Sequence, residues 1–304
     1  MRYYCWLLLA FGCTGHEAAD VEDCGAEAGC VDETPLLQRP SCVPRPGPCD
    51  GAACDDAEVD DTGDTGSSDT GAAGDPCVET GATLPADVLN LTDWKLTLPI
   101  AATEDTSTPM EIEQPELSTY HIAPYFGLDA TADRVRFLAN AGGVTTSGSH
   151  YPRSELREMI DGGAAKASWT TTSGVHTMTI TQAITHLPEA KPEVVAGQIH
   201  DAEDDMVMIR LEGSHLFVEG GGDDLGTLTS NYVLGDEFTV RFVAANGVIE
   251  VFYEDLSIPL VHVEREASGC YFKAGVYTQS NEDRGDMPEA YGEVEIRDLV
   301  VTHE

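Results

Sequence analysis

Apolar and polar side chains alternate with a period of two along much of the chain, the mark of half-buried β-strands. Between His176 and Ile184, Met178, Ile180 and Ile184 oppose Thr177, Thr179 and Thr181. The stretches Asp205 to Glu212, His215 to Glu219, Glu237 to Ala244, Val248 to Glu254 and Glu293 to Thr302 repeat this pattern, and Trp94 to Pro99 opens it. Asn246-Gly247 and Gly220-Gly221-Gly222 punctuate the runs as turns. No long run has the helical period, and neither G-x-G-x-x-G nor G-x-x-x-x-G-K-[ST] occurs, so nucleotide-binding α/β folds are excluded. Many short strands at close intervals predict an all-β fold, a jelly roll or β-sandwich of two sheets, for residues 77–304.

The front of the chain reads differently. Arg2 precedes an apolar run from Tyr3 to Gly12, too short to span a bilayer and suited to an export signal. Leu9-Ala10-Phe11-Gly12-Cys13 resembles a bacterial lipobox, with Phe11 where a small residue is usual. The expectation is a signal over residues 1–13 and a location outside the cytoplasm, as an outer-membrane lipoprotein anchored at Cys13 or as an extracellular protein. Residues 14–76 carry Asp-Thr-Gly repeats and little apolar surface, which predicts a disordered acidic tether. Five cysteines (Cys24, Cys30, Cys42, Cys49 and Cys54) crowd into it without zinc-ligand spacing or interleaved histidines. Cys77 and Cys270 stand apart, and a bond between them is one pairing that an oxidising compartment allows.

Charge narrows the partners. The 304 residues hold 16 Lys+Arg against 54 Asp+Glu, a net of −38. Residues 77–304 keep 13 of the bases and 38 of the acids, so this region alone carries −25 (13 − 38). Such a surface repels nucleic-acid phosphates and anionic lipid headgroups, so neither is an expected partner, and the only expected membrane link is the N-terminal anchor. A small basic cleft inside the acidic shell stays possible.

Three strands supply one. Residues two apart share a face of a strand. Arg153, Glu155 and Arg157 therefore point together, with Leu156 opposite; Gln198 and His200 flank a core-facing Ile199. Tyr271, Lys273, Gly275, Tyr277 and Gln279 form one face, and Phe272, Ala274 and Val276 the other. Each polar face alone has an ordinary reading as a charged ladder or sheet edge. Together they bring carboxylate binders and two proton-transfer groups to one surface.

Arg153–Glu158 (RSELRE), Gln198–His200 (QIH) and Tyr271–Gln279 (YFKAGVYTQ) resemble the signature blocks of polysaccharide lyase family 7, the alginate lyases. The similarity extends to Trp94–Pro99 (WKLTLP) and Glu111–Leu117 (EIEQPEL) and spans nearly all of residues 85–304; Thr278 departs from the usual Asn. The resemblance implies a jelly roll whose concave sheet holds alginate, and β-elimination without a metal or other cofactor. It implies His200 and Tyr277 as the acid/base pair, and Arg153 and Gln198 as neutralisers of the substrate carboxylate. Arg157, Lys273, Gln279 and Glu155 are implied at the substrate-binding face, Glu155 as the orienter of the two arginines. Neighbouring cations are expected to act on the Tyr277 phenol, the QIH form implies activity on guluronate-containing blocks, and a monomer is expected.

Three rivals come from other readings: a non-catalytic polyuronate-binding module, a glycoside hydrolase, and a lyase for another polyuronate such as glucuronan. A binding module has no need of His200 with Tyr277. A hydrolase needs two flanking carboxylates, and Glu155 is embedded between arginines.

Overall fold

A computed structural model describes residues 81–104 and 107–304. The export signal, the acidic tether with its five cysteines, and Cys77 lie outside the described residues. Cys270 is fully buried, without a disulfide partner among them.

A short helix at Pro85–Val88 precedes the strands. In chain order these are β1 (Trp94–Ala101), β2 (Pro109–Ile112), β3 (Phe126–Leu128), β4 (Val135–Asn140), β5 (Arg153–Ile160), β6 (Ala165–Lys166) and β7 (Trp169–Thr170). They continue as β8 (Val175–His186), β9 (Glu193–His200), β10 (Asp205–Glu212), β11 (His215–Gly220), β12 (Asp223–Thr229) and β13 (Glu237–Ala245). The last four are β14 (Val248–Tyr253), β15 (Val261–Glu264), β16 (Ser268–Thr278) and β17 (Tyr291–His303). One sheet runs β12-β11-β10-β9-β16-β5-β1-β2, with β6 on β5 and β7 on β16; the other runs β15-β14-β13-β8-β17-β4-β3. All the pairs are antiparallel, and the two sheets make the expected jelly-roll sandwich.

The alternation explains why the sheets stack. Leu96, Leu98, Leu156, Ile199, Phe272, Ala274 and Val276 of the first sheet join one core with Phe137, Met178, Ile180, Ile184, Val240, Phe242, Val294 and Ile296 of the second. Asn246 and Gly247 both adopt positive φ in the β13–β14 hairpin, as the turn signal requires. Gln182 takes a core position in the series Met178, Ile180, Ile184 and is fully buried. Its Nε2 donates to the Ala196 carbonyl at 2.8 Å. Ala196 lies where β9 changes register against both of its neighbours, so the side chain bonds a carbonyl in the disrupted ladder.

A polar chain also ties the sheets together. Glu158 of β5, 2% exposed, accepts from the Phe272 amide at 2.8 Å and from Trp169 Nε1 at 3.0 Å. Its other oxygen lies 2.6 Å from His303 Nε2, and His303 Nδ1 lies 2.7 Å from His176 Nδ1. Glu158→Leu would leave a buried amide, an indole and the His303–His176 pair without their acceptor. It is expected to destabilise the domain by roughly 2–4 kcal/mol in urea unfolding; an unchanged midpoint would remove Glu158 from the account of stability.

Candidate active site

The strand register turns the sequence motifs into a grid on the outer face of the first sheet. His200 sits opposite Tyr271. Gln198, Lys273, Arg157 and Lys95 form the next row across β9, β16, β5 and β1. Gly275, Glu155, Thr97 and Glu111 follow, then Tyr277 opposite Arg153. These rows floor a cavity of about 520 Å³, walled by Thr146, Ser147, Gly148 and Ser149 on one loop, by Glu203 and Asp204 on another, and by Asp205 at the start of β10.

Gly275 sits at the centre for a steric reason. Its φ is +123°, and a Cβ there would lie 2.6 Å from the Ser154 carbonyl oxygen and 3.0 Å from the Phe137 ring. Gly197 of β9 adopts φ +107°, and the β9–β16 register shifts between Lys273 and Tyr277. Such irregularities bend a strand and re-aim its side chains, and this one falls between the His200 and Tyr277 rows.

Glu155 is the hub beneath the floor. It is 2% exposed and accepts from Lys273 Nζ at 2.6 Å, Arg153 Nη1 at 3.0 Å and Gln198 Nε2 at 2.5 Å. Burial alone would raise its carboxyl, but Lys273 and then Arg153 outweigh that and hold it below its ordinary value. Burial likewise pulls the Lys273 ammonium down to about 8, with Arg153 adding to the effect and Glu155 opposing it.

Two expectations change at this point. Glu155 does not hold both arginines: Arg157 donates instead to the Glu158 and Ala167 carbonyls, and its guanidinium stacks 4.0 Å from the Tyr271 ring centre. Having every close partner inside the protein, Glu155 organises binders rather than lining the cavity. Gln279 does not line it either. Its amide N–H bonds the Glu193 carbonyl and its carbonyl takes Lys191 Nζ at 2.9 Å, one residue past the end of β16. Strand alternation no longer fixes its side chain there, and its buried Nε2 has no hydrogen-bond partner among the described residues.

His200 keeps one ring nitrogen open toward the cavity side. Its Nδ1 lies 2.8 Å from the Asp201 carbonyl, which can only accept, so Nδ1 carries the proton and Nε2 keeps its lone pair. Burial lowers the imidazole below its ordinary value; the bond to Asp201 opposes this, while Lys273 adds to it. His200 is therefore neutral at pH 7, and its ring stacks on Tyr271 at 5.2 Å. At the other end, the Tyr277 hydroxyl meets Ser149 Oγ at 2.8 Å, and Arg153 lies 4.0 Å over the phenol ring. Of the basic side chains, Arg153 thus meets the ring face, and the hydroxyl meets Ser149. Thr278 points inward, fully buried, and donates to the Ala139 carbonyl at 2.8 Å.

Sequence reasoning missed part of the lining. Lys95 and Thr97 share the outer face of β1, with Lys95 paired to Glu111 at 2.6 Å. Their alternation with Trp94, Leu96 and Leu98 was the available signal. The loop residues Thr146 to Ser149, Glu203 and Asp204 gave none, because loops have no period. Asp205 is raised to about 6 by burial and by Asp204, which marks an acidic rim beside His200. Among the described residues, no group of three or more His, Cys, Asp or Glu side chains is arranged to hold a metal ion.

A jelly roll whose outer sheet carries buried cations around a neutral histidine and a tyrosine defines an enzyme that works on anionic sugar polymers. Known proteins sharpen the class. The family model described as alginate lyase matches residues 89–303. A solved alginate lyase of polysaccharide lyase family 7, AlgAT5, is 56% identical, with a TM-score of 0.69 over 73% of this chain and 100% of its own. An alginate lyase from Corynebacterium sp. is 47% identical, with a TM-score of 0.69 over 73% of this chain and 99% of its own. A variant of alginate lyase A1-II′ with a histidine and a tyrosine replaced, in complex with the substrate GGMG, is 27% identical. Its TM-score is 0.59 over 73% of this chain and 97% of its own. The chain belongs to polysaccharide lyase family 7 and is an alginate lyase.

Proposed function

We propose that this enzyme cleaves guluronate-containing stretches of alginate by β-elimination at the 4-O-glycosidic bond, leaving an unsaturated uronate at the new end. The observation that carries the reading is the neutral His200, with Nδ1 committed to a carbonyl and Nε2 free. The C5 proton of a uronate is α to a carboxylate, so removing it puts further negative charge beside an existing one. Arg153, Gln198 and Lys273 surround that position with donors and make the charge tolerable. In guluronate the C5 proton and O4 lie on opposite faces, which suits two groups: His200 takes the proton and Tyr277 gives one to O4. That A1-II′ held GGMG as substrate with a histidine and a tyrosine replaced supports both the substrate and the pair.

The test is the ultraviolet absorbance of the new C4=C5 bond, followed on poly-guluronate, poly-mannuronate and mixed blocks. Guluronate-containing polymers should give the faster signal. No signal on any block, or a signal on poly-mannuronate alone, overturns the proposal.

Lys273 adds a pH dependence. It is protonated below about 8 and loses its charge as pH rises through that value, so the free enzyme binds polyuronate less well in alkali. The Michaelis constant for guluronate oligomers should rise from pH 7 to 9.5. In Lys273→Met it should be high throughout and independent of pH. A rise of equal size in both proteins would detach it from Lys273.

A further inference from the structure

The geometry points to Ser149 as a positioning residue that switches its hydroxyl proton to Tyr277 when the phenol gives its own proton away. The inference rests on Tyr277 being the group that protonates O4.

Proton counting at Ser149 supports it. A serine hydroxyl has one proton and two lone pairs. Ser149 Oγ donates to the Tyr151 carbonyl at 3.0 Å and accepts from the Tyr151 amide at 3.0 Å. One lone pair remains, so in this arrangement the phenol is the donor in the 2.8 Å contact with Tyr277, and its proton is held toward Ser149.

Elimination changes that. The C5 proton passes to His200 Nε2, and the C5–H electron pair becomes the C4=C5 bond. The C4–O4 pair leaves with O4, which takes the phenol proton. His200 is left as imidazolium and Tyr277 as phenolate, and proton exchange with water resets both. At that moment a Ser149 lone pair would face the phenolate oxygen. Turning the hydroxyl away from the Tyr151 carbonyl replaces a neutral hydrogen bond with a charge-assisted one, which is about twice as strong. Three other neighbours of Tyr277 lie away from its oxygen. Arg153 of β5 lies against the ring face, Tyr151 meets the ring edge-on at 6.3 Å, and the cross-strand partner in β9 is Val195.

Ser149→Ala removes the switch, and Ser149→Thr keeps a hydroxyl. The expected result is a kcat on guluronate oligomers lowered about 10- to 100-fold in Ser149→Ala. Direct binding of an oligoguluronate, measured by calorimetry, should stay within about threefold of the parent, and Ser149→Thr should recover most of the kcat. Unchanged turnover in Ser149→Ala, a loss matched by weaker binding, or a Ser149→Thr as impaired as Ser149→Ala would each overturn the inference. Tyr277→Phe with near-normal turnover would instead sink the acid assignment itself, so the two failures can be told apart.

Discussion

Tyr277→Phe will lower kcat on both poly-guluronate and poly-mannuronate by roughly 10²- to 10⁴-fold, the size a positioned acid/base group contributes. His200→Asn should lower it on guluronate by a similar factor and on mannuronate by much less. The asymmetry follows from sugar stereochemistry. In guluronate the proton to be removed and the oxygen to be released lie on opposite faces, and one side chain cannot serve both. In mannuronate they share a face, so one group can serve both: Tyr277 can give its phenol proton to O4 as its oxygen receives the C5 proton. His200 and Tyr277 stand in different rows of the grid, on either side of the cleared position at Gly275. Binding of oligoguluronate should change little in either variant, because the carboxylate is held by other groups. Equal losses on the two polymers in His200→Asn would reject the division of labour. Near-normal turnover in Tyr277→Phe would reject the assignment altogether.

What could be read from the sequence was whatever obeys a local period. Arg153, Gln198, His200, Lys273 and Tyr277 were found because each alternates with a core residue in its own strand, and all five line the cavity. Lys95 and Thr97 obeyed the same rule but lacked a recognisable motif. Gln279 was misplaced because the rule was carried one residue past the strand's end. Glu155 was on the correct face, but its depth was not legible: only the register shows that it sits between Lys273 and Arg153 and opposite a glycine. The state of His200 was equally hidden, since it depends on one carbonyl in the next turn. The fold class needed only the alternation; the chemistry of the site needed distances between strands far apart in the chain.

The buried hub yields the second large effect. Glu155→Gln keeps the side-chain shape but removes the carboxylate charge that lies 2.6 Å from Lys273 Nζ and 3.0 Å from Arg153 Nη1, and it turns an amide N–H toward one of its three donor partners. Breaking a buried ion pair from one side costs roughly 3–5 kcal/mol, because the partner charge is left uncompensated. Lys273 then holds its proton less firmly: Glu155 is what holds its ammonium up against burial, so its value falls further below about 8. The floor of the cavity then carries less positive charge near neutral pH, and turnover on alginate should drop at least roughly 10²-fold, with the Michaelis constant raised. The stability difference carries a pH signature. The folded value of Glu155 lies below its unfolded one, so its stabilisation is fully present above the unfolded value and disappears as pH falls through the folded one. The gap in unfolding free energy between the parent and Glu155→Gln should narrow on acidification below the ordinary carboxylate range. Urea unfolding at a series of pH values measures it. A gap that persists unchanged into acid would mean that Glu155 acts through packing and hydrogen-bond shape, and the electrostatic account of the hub would fail.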